Sequence, residues 1–499
     1  MSVLAALDAR RDDDVVIQSA GTCVDGASLR TRVNSLADDL CSNGVGCLAL
    51  YADNGIDWIV ADLACLASGT RIVPIPLFFT PTQIQHVLCS SGADTLLTDQ
   101  PAVPRGIAAK PEIQLPQLPS LRRYSLAPGA AAAVPPGTWK ITYTSGTTGA
   151  PKGVCLSATQ LELLASGLAG ATGLQVPLHL CVLPLSTLLE NVAGVYGPLL
   201  AGGTIVVPSL ADIGVGGSSS LDVKMLADAI SLQQPNTLIL VPEILRGLLI
   251  AAERGWRFPS SLRFVAVGGS RVAPTLVQRA RDAGLPVFEG YGLSECGSVV
   301  ALNTPANDRV GTTGKVLSHV QVRSENGEIV VTGSPMLGYV DQPDSWHVPE
   351  IRTGDLGRVD ADGFLHIEGR AKNVLITSYG RNVSPEWVES ELLGGELLAQ
   401  AVVVGDQRPW CAALLYPGAA EVNDDVLSDW IRKVNERLPD YARMGDWRRL
   451  PEPLTAAAGL LTSNGRPRRD SIARHYEWLI DDMYPGRPEA INQGHSWTD

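Results

Sequence analysis

The stretch Tyr143-Thr144-Ser145-Gly146-Thr147-Thr148-Gly149-Ala150-Pro151-Lys152-Gly153 gathers hydroxyls, glycines and one lysine directly after the apolar run that ends Lys140-Ile141-Thr142. A strand that empties into small residues gives a loop rich in free backbone N–H groups, and with an ammonium beside them it can hold a polyphosphate. The same composition also suits a plain turn. A Walker loop needs Gly-Lys-Ser/Thr, so Pro151 before Lys152 and Gly153 after it exclude that template.

Four further stretches offer complementary chemistry. Gly290-Tyr291-Gly292-Leu293-Ser294-Glu295 follows Val287-Phe288-Glu289 and sets a ring, a hydroxyl and a carboxylate at a strand end, where open sheets bind ligands. In Arg352-Thr353-Gly354-Asp355-Leu356-Gly357 the Asp can accept two hydrogen bonds at once, which suits adjacent ribose hydroxyls. Gly268 and Gly269 follow the apolar run Phe264 to Val267 and permit close approach of a ligand to the backbone. In Leu183 to Asn191, Ser186 or Thr187 serves either a pocket or a helix cap.

Taken in chain order, and with Gly363 to Arg370 and Leu461 to Arg469, these stretches resemble the adenylate-forming superfamily of acyl-CoA synthetases, luciferases and peptide-synthetase adenylation domains, over most of the chain. The resemblance implies that Thr144, Ser145, Gly146, Thr147, Thr148 and Lys152 hold ATP phosphates. It implies that Gly290, Tyr291, Gly292 and Ser294 bind the nucleotide, with Tyr291 on adenine and Ser294 in place of the family's Thr. Glu295 would bind Mg2+, Asp355 the ribose, and Arg370 the ribose and α-phosphate. Thr187, Gly268 and Gly269 would line the acid pocket, although many relatives carry His where Thr187 stands. Lys372 would be a hinge, and Ser378, Tyr379 and Gly380 part of a CoA tunnel. The implied catalytic set is Thr144, Lys152, Glu295 and Arg466. The family's C-terminal loop runs Thr-x-x-Gly-Lys, and here Arg466 replaces its lysine.

The reaction so implied is attack of a carboxylic acid on MgATP, giving an acyl-adenylate and pyrophosphate, then transfer to the thiol of CoA. Leu183 to Asn191 resembles the fatty acyl branch. Two alternatives remain: transfer to an acyl carrier protein, and a nucleotide-binding protein whose catalysis is weakened by Arg466.

The elements that must position these residues alternate. Cys47 to Tyr51, Arg71 to Pro76 and Thr95 to Thr98 read as buried strands, and Ile56 to Leu66 and Pro81 to Cys89 as helices, which is βαβ grammar. It resumes after the loop with a helix at Ala158 to Leu168 and strands at Leu178 to Leu185, Gly203 to Pro208, Thr237 to Val241 and Phe264 to Val267. Gly214 to Ser220 reads as a mobile surface turn. Hairpin-like runs at Val320 to Ser324, Glu328 to Thr332 and Phe364 to Ile367 predict a small β subdomain, where His366 reads as a strand residue. The expected fold is α/β: residues 1–370 as a large domain of two doubly wound βαβ sheets plus a β-barrel-like subdomain, and 371–499 as a small mobile α+β lid.

A chain of 499 residues exceeds the roughly 250–300 at which one core stops growing. A net charge of −13 excludes a broad footprint on nucleic acid. The start lacks the apolar core of a signal peptide, and no apolar run is long enough to span a bilayer, so a cytoplasmic location is expected. Nine scattered cysteines show no Cys-x-x-Cys pair and no His spacing suited to zinc, and Cys65 and Cys181 read as reduced core residues.

Overall fold

Apolar residues at helical spacing after Gly55 form the helix Ile56–Ser68, which ends where Gly69 turns left-handed at φ 72°. Pro81–Ser91 starts from a capping box in which Thr80 and Gln83 satisfy each other's backbone donors. Between such helices lie short buried strands, and the βαβ alternation assembles as expected. Cys47–Tyr51 pairs in parallel with both Arg71–Pro74 and Thr95–Thr98. The computed structural model describes residues 1–101, 113–127, 132–144, 151–216, 220–419, 421–462 and 465–484.

Two units divide the chain, Met1–Glu368 and Gly369–Asp499. The first holds an eight-stranded and a nine-stranded sheet and a smaller four-stranded one. Leu178–Leu180, Thr204–Val206, Thr237–Leu240, Phe264–Val267 and Val287–Tyr291 form the parallel heart of the nine-stranded sheet. Both large sheets are mixed: in the nine-stranded one Val15–Ser19 runs antiparallel to Thr22–Asp25 and Val287–Tyr291 to Ala301–Leu302, and in the eight-stranded one Thr95–Thr98 runs antiparallel to Leu118–Ser125. The small subdomain is an antiparallel sheet ordered Gln321–Glu325, Glu328–Thr332, Glu350–Val359, Leu365–Arg370.

Two local expectations change. Leu178 to Leu185 is strand only to Leu180, after which Asn54 clamps the segment by donating to Leu183 O and accepting from Leu185 N, both at 2.8 Å. Within Gly214 to Ser220, Val215–Gly216 runs antiparallel to Ser220–Leu221, so backbone pairing replaces part of the expected turn.

The second unit is built on Leu398–Val404, Cys411–Pro417 and Met444–Arg449. Alternation sends Val403, Ala413 and Leu415 to one face, against the helices Pro385–Leu393 and Asp424–Arg437, and Val402, Ala412 and Leu414 to the other, against Ile472, Leu479 and Met483. No described helix is long and apolar enough to cross a membrane.

Candidate active site

The phosphate-loop stretch is the turn of a hairpin. Lys140–Thr144 pairs antiparallel with Lys152–Leu156, matching Lys140 with Leu156 at one end and Thr144 with Lys152 at the other. The strand Lys152–Leu156, and not a helix, therefore follows this stretch. Ser145, Gly146, Thr147 and Thr148 lie outside the described residues; half-buried Thr144 and exposed Lys152 flank them.

Register then brings a second element to Lys152. Gly338–Tyr339 adds to the same sheet, with Tyr339 opposite Val154. The Lys152 ammonium lies 5.6 Å from the centre of the Tyr339 ring, and the Tyr339 hydroxyl donates to Glu295 Oε1 at 2.9 Å. Glu295 sits on the short turn Ser294–Cys296 after the Gly290 stretch, and its carbonyl accepts from Met336 N at 2.7 Å. Lys152 and Glu295, far apart in sequence, are thus joined through one tyrosine. Burial first, then the negative Glu295, holds the Tyr339 hydroxyl well above its ordinary pKa, so it remains a donor.

A second pairing joins two other stretches. The Tyr291 hydroxyl donates to Asp355 Oδ2 at 2.5 Å, and burial followed by Asp355 raises its pKa steeply. Asp355 is buried within Glu350–Val359, and its own amide donates to Thr353 Oγ1 at 3.1 Å. The turn between Tyr291 and Ser294 needs its glycine: a Cβ on Gly292 would lie 1.5 Å from Ser298 O. Gly268 is less tightly held against the neighbouring strand, since its Cβ would meet Gly290 O at 3.1 Å, while Gly269 is exposed with φ at 85°. Thr187 turns its hydroxyl back to Pro184 O at 2.7 Å, a local turn bond that leaves it half-buried. No hydrogen bond ties it to the Tyr291 or Glu295 groups among the described residues.

Two contributors were not singled out from sequence. Tyr339 carries no motif; only the register of its short strand makes it the bridge. Glu289 lies beside Gly290, 4% exposed, accepting from Gly311 N at 3.1 Å, and burial pushes its carboxyl up to about 7. His366 pairs with Asp360 at 2.9 Å on the small sheet, in keeping with a structural strand residue.

In the second unit, Arg466 closes a tight loop: its amide donates to the Thr462 hydroxyl at 3.0 Å, and its carbonyl accepts from Thr462 N at 2.7 Å. The loop is anchored beyond Arg466 by Arg469, which makes bonds of 2.8 and 2.7 Å to the two Glu389 oxygens. Lys372 lies exposed on the turn Ala371–Asn373; partial burial first, then Arg370 and Arg466, push its pKa down. Arg370 ends the strand Leu365–Arg370. Ser378, Tyr379 and Gly380 form an exposed turn in which Gly380 is left-handed at φ 73°.

As a Mg2+ ligand set, this chemistry fits. Glu295 is a half-buried carboxylate with one oxygen oriented by Tyr339, and hard oxygen donors are what Mg2+ takes.

The AMP-binding enzyme family model matches residues 5–340, and the model for the AMP-binding enzyme C-terminal domain matches 372–487. The chain belongs to the AMP-binding enzyme family, the AMP-forming acid–thiol ligases, whose cofactors are ATP, Mg2+ and CoA. A long-chain-fatty-acid–CoA ligase of Mycobacterium bovis is 26% identical, over 93% of this chain and 92% of its own. The anthranilate CoA ligase AuaEII, solved with anthranoyl-AMP, matches with a TM-score of 0.81 at 18% identity, covering 96% of this chain and 98% of its own. The O-succinylbenzoate CoA synthetase of Bacillus subtilis, solved with ATP and magnesium, matches at 0.74 and 23%, covering 94% and 98%. These solved structures share the fold, and the acids named for the three proteins differ.

Proposed function

We propose that this chain activates a carboxylic acid with MgATP, releasing pyrophosphate, and transfers the acyl group from the adenylate to the thiol of CoA. The joining of Lys152 to Glu295 through Tyr339, beside the Tyr291–Asp355 pair, carries the reading. Lys152 meets the ATP phosphates together with the loop that starts at Thr144, and its charge is worth most where pyrophosphate leaves. Glu295 would hold Mg2+, which supplies charge neutralisation at the phosphates when bound. Tyr339 keeps that carboxylate aimed by its hydrogen bond. Asp355 takes the ribose hydroxyls, so its bond from Tyr291 would fix the carboxylate beside the ring that packs on adenine. Arg370 reaches the α-phosphate side, Gly290, Gly292 and Ser294 carry the nucleotide-binding turn, and Thr187, Gly268 and Gly269 line the acid pocket.

Arg466 supplies the positive charge that lets a carboxylate approach ATP. Its planar guanidinium directs its donors differently from an ammonium, so this step is expected to be slower than with lysine. The lid of residues 371–499 would rotate about Lys372 and bring Ser378, Tyr379 and Gly380 to the thiol step. No side-chain nucleophile is required. A fatty acid is the proposed substrate, supported by the Leu183 to Asn191 stretch, and the proposed location is cytoplasmic.

Pyrophosphate release across a panel of aliphatic and aryl acids tests this reading. Acid-dependent release, highest with fatty acids and followed by CoA-dependent release of AMP, is expected. AMP release stimulated by a holo carrier protein but not by CoA reassigns the acceptor, and no acid-dependent release from folded protein across the panel overturns the proposal.

A further inference from the structure

Behind the Thr187 turn, three side chains that the proposed reaction does not use converge in the interior of the first unit. His179 is on the strand Leu178–Leu180, Cys181 follows it, and Glu190 comes from the π-helix Leu189–Tyr196. His179 Nε2 lies 3.0 Å from Glu190 Oε1, and the ligating atoms of all three residues fall within 4.8 Å of one another. His179 is 1% exposed, Cys181 and Glu190 0%.

We propose that His179, Cys181 and Glu190 bind one zinc ion, as a structural site that staples the strand to the π-helix. One nitrogen, one sulfur and one carboxylate oxygen are zinc's donor types. Bonds of about 2.0–2.3 Å in a tetrahedron put donor pairs roughly 3.3–3.8 Å apart, a modest adjustment from the present spacing. Charge favours the ion as well. A Cys181 thiolate and a Glu190 carboxylate together cancel Zn2+ and leave neutral His179, so a fully buried site would carry no net charge, whereas a lone buried carboxylate is costly. The ion displaces one thiol proton and one carboxyl proton to solvent, which balances the exchange.

Two other observations fit. Glu190 Oε2 is buried without a hydrogen bond of good geometry, although the Cys181 thiol and the Val182 amide approach closely enough to favour the charged carboxylate. An acceptor left unsatisfied in a dry interior points to something it could bind. On the far side of the ring, His179 Nδ1 lies 2.9 Å from Thr237 Oγ1, the outer contact that orients a ligating histidine and leaves Nε2 for the metal. A Cβ on Gly194 would lie 2.6 Å from His179 Nε2 and 2.9 Å from Glu190 Oε1, so glycine lets the π-helix backbone pack closely on this pair.

The test uses the full chain purified without chelator from zinc-supplemented cells, and a second preparation grown with Co2+. The expected result is one zinc per chain by mass spectrometry, and in the cobalt form the visible bands of tetrahedral Co2+ with a thiolate-to-cobalt absorption. Cys181→Ser and Glu190→Gln should each lower zinc affinity at least about tenfold and abolish the cobalt bands. Wild-type protein that is metal-free and gains neither bands nor thermal stability when refolded with Zn2+ or Co2+ overturns the proposal, and leaves His179–Glu190 a plain hydrogen-bonded pair. Zinc held equally by wild type and the Cys181→Ser/Glu190→Gln double variant overturns it too. If that variant does not fold, the wild-type metal content and cobalt spectrum decide alone.

Discussion

One hairpin carries two lysines at opposite ends, and each meets a tyrosine and a carboxylate. Lys140 Nζ is fully buried, donates to Asp62 Oδ1 at 2.7 Å and Tyr196 OH at 2.9 Å, also bonds Asn191, and lies 5.2 Å from the Tyr196 ring centre. Tyr196 and Asn191 in turn donate to Asp62 Oδ2. Lys152, at the loop end, is exposed and lies 5.6 Å over Tyr339, which binds Glu295. The residue types are nearly the same and the roles differ through solvent access and saturation. Around Lys140 three acceptors take the three ammonium protons, so the set holds the hairpin against Ile56–Ser68 and the π-helix. Around Lys152 no ion pair takes the charge among the described residues, and the lysine stands exposed where the second strand of the hairpin begins.

Breaking the buried set should have the largest effect. Lys140→Met leaves Asp62 uncompensated in the interior and is expected to cost about 3–5 kcal/mol, measured as a drop in urea midpoint. A loss below about 1 kcal/mol would contradict a fixed, saturated ammonium there.

Next is the carboxylate beside the site. Glu289 holds its proton up to about 7 because burial penalises its charge. Its folded pKa is raised above that of the unfolded chain, so the folded state binds the extra proton. Its contribution is fully present below the unfolded value and is lost as pH rises through about 7, a change of about 3 kcal/mol. Glu289→Gln should remove that loss: relative to wild type, the variant gains stability between pH 5 and pH 8, read from unfolding curves at both. A difference between the two proteins that does not change with pH would contradict the assignment.

Smaller effects test the proposed chemistry. Arg466→Ala is expected to slow acid-dependent ATP–pyrophosphate exchange about tenfold or more, while Arg466→Lys matches or exceeds the parent. Both variants equalling the parent would remove Arg466 from catalysis. Tyr339→Phe loses one hydrogen bond to a charged group, so exchange should fall about 3- to 10-fold, mainly through a weaker requirement-matched response to Mg2+ concentration. An unchanged Mg2+ dependence would make Tyr339 a packing residue only.

Much of this was legible from the chain. Periodicity located Ile56–Ser68, and short buried runs located Cys47–Tyr51, Thr95–Thr98 and Phe264–Val267, because both signals are local. Tyr291 and Asp355 stood in stretches suited to a nucleotide, although nothing in either showed that they touch. The missing parts are tertiary. The antiparallel return of Lys152–Leu156 depends on the turn between the strands, the role of Tyr339 on a two-residue strand formed nearly two hundred positions later, and the silence of Lys140 on burial among residues from three elements. Cys181 likewise reads as a core residue, and nothing in the sequence ties it to His179 and Glu190 until strand and π-helix place the three together.

The most direct measurement compares Lys152→Met with wild type in acid-dependent ATP–pyrophosphate exchange, with unfolding curves for both. Loss of exchange by about 100-fold or more, with stability changed by less than about 0.5 kcal/mol, is the expected result. Exchange at the wild-type rate in the folded variant would contradict the assignment of the loop end of the hairpin to ATP.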